Sequence, residues 1–276
     1  MRFEFATATQ IIFGPGTLKD IALPAAEMGH RGFVITGQNP ERAAPLVKQL
    51  EKQGLEFSLF SIPAEPTTGL ALAAVEKARR DDCDFVVGIG GGSVLDVGKV
   101  VAALLTNSGE LMQYLEVIGG SQPLKRRSAP YTAIPTTSGT GSEVTRNAVL
   151  DSPLHRIKVS MRSPFMLPRL ALIDPELTYA MPPAITAATG LDAFTQLLEA
   201  FVSRQANPLT DCICRQGLER AARSLRKAYQ NGKDAPARED MCLASLFGGL
   251  ALANAKLGAV HGFAGALGGM YNAPHG

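Results

Sequence analysis

The sequence predicts an α/β domain built on a doubly wound parallel sheet, followed by an all-α domain. Two observations carry this prediction. Strand-like and helix-like segments alternate through the first part of the chain, whereas no convincing strand follows the proline-rich stretch Pro175–Thr186. We therefore place a domain boundary near residue 180, which gives an α/β domain over residues 1–180 and a helical domain over residues 181–276.

The α/β prediction rests on four short apolar runs that are β-branched or alternating. These predicted strands begin at Arg31, Leu55, Asp84 and Tyr131. Apolar residues at helical spacing lie between them and predict helices over Ala44–Gly54, from Thr67 or Thr68 to Cys83, and over Ser93–Asn107. Strands that alternate with helices in this way form a parallel sheet.

The helical prediction rests on three stretches with helical spacing of apolar residues. They cover Ala184–Ser203, Pro208–Gln230 and Arg238–Gly258. The polar segment Asn231–Asp240 is expected to form an exposed loop between the last two helices.

Composition excludes several classes of partner. The 276 residues carry a net charge of +2, which gives no electrostatic case for nucleic acid or for an acidic membrane surface. The longest mostly apolar run, Met241–Ala253, is too short to span a bilayer. Because the first ten residues lack a signal-peptide core, we expect a cytoplasmic protein with no nucleic-acid and no membrane partner.

A glycine-rich segment, Gly88–Lys99 (the glycine loop), follows the third predicted strand and opens a helix. Glycines permit close approach of a ligand, and unpaired N–H groups at a helix start attract a pyrophosphate. The segment matches neither the G-x-G-x-x-G fingerprint nor a Walker A loop. A nucleotide site and a plain turn, closed by Ser93 and Asp96 as a capping box, both stay open.

A second segment, Ala133–Thr145 (the hydroxyl loop), carries five hydroxyl side chains between Thr136 and Ser142 at the end of another predicted strand. Ligands of open α/β sheets bind beyond the carboxyl ends of strands. Two such loops predict a shared crevice and favour a nucleotide, although a hydrophilic surface loop is the alternative for the hydroxyl loop alone.

Candidate metal ligands lie in the helical part. Asp192 and Gln196 are four residues apart and share one helix face. His261 and His275 lie in a glycine-rich apolar segment, where each needs a partner if it is buried. One carboxylate and two imidazoles suit zinc, iron or manganese. The alternative is that both histidines are merely packed and hydrogen-bonded.

Taken together, these stretches resemble the iron-containing (group III) alcohol dehydrogenase family. The matching segments, in the family order, are Phe13–Leu18, Gly90–Lys99, Pro135–Thr145, Gly190–Ser203 and Gly258–Gly276. The resemblance implies that residues 1–180 bind a dinucleotide and that residues 181–276 hold a metal and the substrate. Family members usually continue with further helices, so we expect the helical domain to be C-terminally incomplete here.

The resemblance also implies which residues face NAD or NADP: Gly91, Gly92, Ser93, Asp96, Thr136, Thr137 and Lys158. Gly37 stands where many relatives carry an acid at the end of the second strand. An acid there would bind the ribose hydroxyls and repel a 2′-phosphate, so its absence makes NADP as plausible as NAD.

The implied metal site is Asp192, Gln196, His261 and His275, with iron or zinc as the ion. Gln196 occupies the position where the family pattern has a histidine, and an amide oxygen is a weaker and harder donor than imidazole. Gly265 is a second departure, because many relatives place there a histidine that relays protons. No catalytic acid or base is assigned.

The implied activity is an NAD(P)-dependent, metal-assisted interconversion of alcohols with aldehydes or ketones by hydride transfer. The expected partner is a small-molecule alcohol or aldehyde substrate, and a homodimer is compatible with the sequence. Two alternatives stay open: a metal-independent reductase of the same superfamily, and a nucleotide-binding protein that is inactive or truncated.

Overall fold

The computed structural model describes residues 1–63, 65–271 and 273–276. The strands within these residues are β1 Gln10–Phe13, β2 Arg31–Thr36, β3 Glu56–Ser61, β4 Phe85–Gly90, β5 Tyr131–Pro135, β6 Asn147–Ser152, β7 Ile157–Arg162 and β8 Leu170–Ile173. The α-helices are α1 Ala22–Ala26, α2 Ala44–Lys52, α3 Thr68–Arg80, α4 Gly92–Thr106, α5 Leu111–Tyr114, α6 Pro183–Phe201, α7 Pro208–Gln230, α8 Ala235–Ala255 and α9 Ala259–Tyr271.

The main sheet has six strands in the order β1-β8-β5-β4-β2-β3, and every pairing is parallel. The predicted doubly wound fold is therefore confirmed. Strand β4 is buried along its whole length, as expected for a central strand with helices on both faces.

Alternate residues of β2 enter two separate cores. Phe33 and Ile35 pack with residues of α3 and α4 on one face of the sheet. Val34 packs with Leu46 of α2 and with residues of α1 on the other face. This alternation follows from the two-residue period of a strand.

The structure contains strands that the sequence analysis did not predict. β1 and β8 have four residues each, too short for a clear pattern. β6 and β7 form a separate antiparallel hairpin, in which Asp151 pairs with Lys158. In β7, Ile157, Val159 and Met161 alternate with polar residues, so its strand signal was present in the sequence. In β6, the continuous apolar run Ala148–Leu150 obscures the alternation.

The helical half agrees with the prediction, since no strand follows Ile173 in the described residues. The loop expected over Asn231–Asp240 is wrong in its second half. Asp234 accepts a hydrogen bond from the Ala237 N–H and so starts α8 at Ala235. Arg238 lies 1% exposed, where its guanidinium donates to Thr186 and to a backbone carbonyl.

The two halves share a core of their own. Leu246 and Leu250 of α8 pack against Ala171 and Ile173 of β8. This contact fixes the helical half beside the carboxyl ends of the strands, where both predicted loops lie.

None of the described helices is, by itself, both long and apolar enough to cross a membrane. Helices α8 and α9, which meet at 100°, satisfy the length and composition criteria only as a pair.

Candidate active site

The glycine loop and the hydroxyl loop meet at the ends of the neighbouring strands β4 and β5. The Thr136 N–H donates to the Gly90 carbonyl at 2.9 Å. A Cβ atom on Gly92 would lie 3.0 Å from the Thr140 side chain, and one on Gly91 would lie 3.4 Å from Thr137. The two loops are therefore adjacent, as predicted, and the glycines allow them to touch, whereas the shared crevice stays a prediction.

Helix α4 starts at the glycine loop without help from a side chain. Its N-cap is Gly91, and no side chain caps it. The alternative in which Ser93 and Asp96 form a capping box is therefore wrong. The first N–H groups of a helix lack partners inside the helix, so this end can bind an anionic ligand.

Lys99 of α4 links this helix to the hydroxyl loop through a buried ammonium group. Its ammonium group is buried and donates to Ser142 Oγ at 2.6 Å, to Thr145 Oγ1 at 2.7 Å and to the Asn147 carbonyl at 2.7 Å. Burial lowers the pKa of Lys99, and the charge of Asp96 opposes this shift. Three close acceptors satisfy all three donors of the ammonium group.

Asp96 was predicted to face the cofactor, and its carboxylate is engaged within the protein. One oxygen accepts from Ser142 Oγ at 2.6 Å, and the other accepts from the Val149 N–H at 2.9 Å. Asp96 thus ties α4 to the hydroxyl loop and to β6. Contact with a cofactor stays a prediction for this residue.

Lys158 lies on β7, apart from the two loops. Its ammonium group pairs with Glu65 at 3.1 Å, and its side chain packs beneath α9 at Gly268. Gly37 follows β2, and a Cβ atom there would meet nothing within 4 Å. There is space for a ligand at Gly37, whereas cofactor contact by Lys158 stays a prediction.

Three of the four predicted metal ligands come together. Asp192 Oδ1 lies 3.2 Å from His261 Nε2 and 3.6 Å from His275 Nε2. One potential ligand atom from each residue lies within 4.8 Å of the others. Nitrogen and oxygen donors around a tetrahedral ion are about 3.4 Å apart. This acid–histidine cluster of Asp192, His261 and His275 can therefore hold a divalent ion with little movement.

Gln196 is buried one helical turn after Asp192. Its Nε2 donates to the Gly139 carbonyl at 3.1 Å, which leaves Oε1 as the acceptor. Among the described residues, that buried oxygen has no hydrogen-bond partner. An unpaired buried acceptor is costly, so its presence on the same helix face as Asp192 fits an oxygen ligand for a cation.

The hydroxyl loop is held between α6 and α8 at positions where only glycine fits. A Cβ atom on Gly139 would lie 2.7 Å from Thr189 of α6. Gly141 has φ +60°, and a Cβ atom there would lie 2.4 Å from the Cα atom of Gly249 in α8. Because Gln196 bonds to this loop, the acid–histidine cluster and the crevice belong to one connected site.

Glu199 contacts His261 and was not among the site residues predicted from the sequence. Its carboxylate lies 2.5 Å from His261 Nδ1. Burial lowers the pKa of His261, but the hydrogen bonds and charges of Asp192 and Glu199 outweigh burial, and the pKa ends above its usual value. The signal was available, because Glu199 lies seven residues after Asp192 on one helix face.

Gly265 is on α9, near the cluster in sequence. A Cβ atom at this position would meet nothing within 4 Å. The structure therefore has room for the relay histidine that many relatives carry, and this chain supplies no side chain there.

Two family models match the chain. One, described as iron-containing alcohol dehydrogenase, matches residues 8–175. The other, described as the C-terminal part of the Fe-containing alcohol dehydrogenase family, matches residues 186–276. The first corresponds to the α/β half and the second to the helical half.

Curated proteins match over nearly the whole chain. Alcohol dehydrogenase 4 of Schizosaccharomyces pombe is 38% identical over 270 residues, which is 96% of this chain and 63% of that protein. The 1,3-propanediol dehydrogenase of Klebsiella pneumoniae is 35% identical over 281 residues, which is 99% of this chain and 72% of that protein. The chain thus spans less than two thirds of the first of these relatives.

Solved structures share the fold. The crystal structure of 1,3-propanediol oxidoreductase has a TM-score of 0.94 and 34% identity, and the match covers 100% of this chain and 72% of that one. Sulfoacetaldehyde reductase from Bifidobacterium kashiwanohense, solved in complex with NAD+, has a TM-score of 0.91 and 31% identity, over 100% of this chain and 73% of that one.

Proposed function

The chain belongs to the iron-containing alcohol dehydrogenase family, and from this premise we propose that it is an NAD(P)-dependent, metal-assisted oxidoreductase. The reaction is the interconversion of alcohols with aldehydes or ketones. One observation carries the proposal: Asp192, His261 and His275 converge on one point, where Gln196 links the helix of Asp192 to the hydroxyl loop.

The names of relatives support an alcohol or aldehyde as the substrate, from 1,3-propanediol to long-chain alcohols. They include two 1,3-propanediol dehydrogenases and a 4-hydroxybutyrate dehydrogenase, and a similar solved structure is a sulfoacetaldehyde reductase. All of these names describe oxidation of a hydroxyl group or reduction of an aldehyde. We extend only this shared chemistry to the present chain.

The residues fit a divalent ion such as iron or zinc. Asp192, His261 and His275 would hold it, and Gln196 offers the leftover oxygen as a fourth donor. When bound, such an ion supplies Lewis acidity to the oxygen of an alcohol or carbonyl. The oxygen-rich donor set, with two imidazoles in place of three, is expected to bind more weakly than the family pattern.

The crevice side supplies the cofactor contacts. The start of α4 at Gly91, Gly92 and Ser93 presents N–H groups to a pyrophosphate, and Thr136 and Thr137 border the same crevice. The open space at Gly37 accommodates a 2′-phosphate as well as a hydroxyl, which leaves both NADP and NAD as cofactors. Because Gly265 supplies no relay group, we propose that protons leave through water or the cofactor ribose.

The test is a direct assay of the purified chain. Fe(II) or Zn(II) is added, and NADH and NADPH absorbance is followed separately with a panel of short aldehydes. The proposal predicts aldehyde-dependent oxidation of at least one cofactor, abolished by chelation and by Asp192→Asn. Asp211→Asn, which alters a carboxylate of α7 outside the cluster, serves as the matched control.

Three outcomes would contradict the proposal in different ways. Full activity after chelation would favour a metal-independent reductase. Cofactor binding by calorimetry without turnover would favour an inactive nucleotide-binding protein. Absence of both binding and turnover across the panel would reject an oxidoreductase function for this chain.

A further inference from the structure

Glu199 lies on the same face of α6 as Asp192 and Gln196. It follows Gln196 by one helical turn and Asp192 by two. Its side chain is only 9% exposed, yet its partner at 2.5 Å is a histidine rather than an arginine or lysine. A buried carboxylate requires strong hydrogen-bond donors. The question is what this carboxylate does beside the acid–histidine cluster.

The two carboxylates contact opposite nitrogens of the His261 ring. Glu199 Oε2 lies 2.5 Å from Nδ1, whereas Asp192 Oδ1 lies 3.2 Å from Nε2. A neutral imidazole carries one proton, which resides on the nitrogen with the stronger acceptor. The shorter contact therefore places the proton on Nδ1 and leaves the Nε2 lone pair directed toward the cluster.

Glu199 also holds the start of α9. Its Oε1 accepts from the Val260 N–H at 2.7 Å, and its Oε2 accepts from the His261 N–H at 3.4 Å. A Cβ atom on Gly258 would lie 2.9 Å from Oε1, so the residue that precedes α9 is constrained to be small. A carboxylate at a helix N-terminus is favourable for both hydrogen bonding and the helix dipole.

This second role matters because α9 has little packing of its own. Gly268 is its one buried residue among those described, and Val260, Phe263 and Leu267 are exposed. Few buried apolar contacts leave a helix free to shift. The backbone bonds to Glu199 thus fix the position of the His261 ring, in addition to its proton.

We propose that Glu199 is a positioning residue that selects the Nδ1–H form of His261 and fixes the start of α9, so that Nε2 is presented for coordination. The proposal rests on the metal site proposed above. Its chemistry is testable in the metal-free protein, because the proton position on His261 needs neither metal nor turnover. A carboxylate that orients a metal-binding histidine typically accounts for about 10–100-fold in metal affinity.

The first measurement is ¹⁵N NMR of the metal-free chain with labelled histidine, in which the His261 signals are assigned by their loss in His261→Gln. The expected spectrum shows a protonated Nδ1 and an unprotonated Nε2 for neutral His261. A neutral His261 protonated mainly at Nε2 would overturn the proposal, and this result needs no substitution at Glu199.

The second measurement uses Glu199→Gln, which keeps the shape of the side chain and removes its charge. We expect a shift of the His261 proton toward Nε2 and a loss of about 10–100-fold in Zn(II) affinity by calorimetry. Glu219→Gln, an exposed carboxylate on α7, is the control and is expected to change neither. Wild-type spectra and affinity in Glu199→Gln would overturn the proposal.

Failure of the two proposals can be told apart. A wild-type chain that binds no Zn(II) but shows the Nδ1–H form, lost in Glu199→Gln, would reject the metal site and retain the positioning role. Normal Zn(II) binding with unchanged His261 spectra in Glu199→Gln would retain the metal site and reject the positioning role.

Discussion

Two polar networks lie close together in this molecule and differ in how many of their hydrogen-bonding atoms have partners. In the network around Lys99, three acceptors satisfy the ammonium group, and both oxygens of Asp96 accept from the protein. In the acid–histidine cluster, the ligand atoms converge, and the Oε1 atom of neighbouring Gln196 has no partner among the described residues.

Unsatisfied hydrogen-bonding groups, rather than residue types, distinguish a binding site from a structural network in this molecule. Each network contains a carboxylate: Asp192 is buried in the cluster, and Asp96 is partly buried beside Lys99. The Lys99 network is closed and fastens α4 to the hydroxyl loop. In the cluster, the oxygen and nitrogen atoms with free lone pairs outnumber the protons that could bridge them. Such a group of ligand atoms binds a cation.

The largest expected effect is on the closed network. Lys99→Met removes the cation but keeps an unbranched apolar side chain. It leaves Asp96 without its counter-ion and Ser142 and Thr145 without the ammonium donor. Loss of one partner from a buried charge pair costs about 3–5 kcal/mol of unfolding free energy. Urea denaturation measures this loss. Lys48→Met, at an exposed site on α2, is the control, and an equal effect in both variants would show that the Lys99 network is not closed.

Glu143 tests the same region through pH. Burial raises its pKa to about 7, despite the lowering effects of its own N–H group and of Lys99. Because this value lies above the usual 4.5, the carboxyl favours folding only while it is protonated. The wild-type unfolding free energy is therefore expected to fall by up to roughly 3 kcal/mol between pH 4.5 and pH 7.

The matched variant is Glu143→Gln, which cannot ionise. Its unfolding free energy should lose this part of the pH dependence and exceed that of the wild type above pH 7. Denaturant titrations at a series of pH values make the comparison. Parallel curves for the two proteins would mean that Glu143 ionises freely in the folded state.

Gln196 lies beside the acid–histidine cluster, on the helix that carries Asp192. Gln196→His replaces an amide oxygen with the imidazole that the family pattern has at this position. We expect Zn(II) affinity to rise by about tenfold or more, because imidazole is the better donor. Loss of the bond to Gly139 is the opposing cost, and unfolding measurements on the metal-free proteins report it. Unchanged or weaker Zn(II) binding would place position 196 outside the site.

Much of the fold could be predicted because its signals are local. The central strands are continuous apolar runs, and each is followed by a helix with clear periodicity. In the β6–β7 hairpin, β7 was overlooked although its apolar residues alternate regularly, whereas the continuous apolar run Ala148–Leu150 obscures the alternation of β6. The start of α8 was missed although its signals are local: Asp234 caps the helix and Pro236 stands in its first turn.

The candidate site likewise contains residues that the sequence predicted and contacts that depend on long-range packing. Asp192, His261 and His275 were predicted as ligands, and the structure brings them together. The position of Glu199 on the helix face of Asp192 could be seen in the sequence, whereas its contact with the ring of His261, 62 residues later, could not. The engagement of Asp96 by Ser142 likewise follows from packing that no single segment encodes. Cytoplasmic location and oligomeric state stay predictions.

The most direct test of the central claim is a Zn(II) titration of the metal-free chain and of Asp192→Asn by calorimetry, with unfolding free energies measured in parallel. We predict one ion per wild-type chain and a loss of at least about tenfold in affinity in the variant. The metal-free unfolding free energy should change by less than about 1 kcal/mol, because the cluster is not a closed network. Equal Zn(II) binding by both proteins, or none by the wild type, would contradict the account.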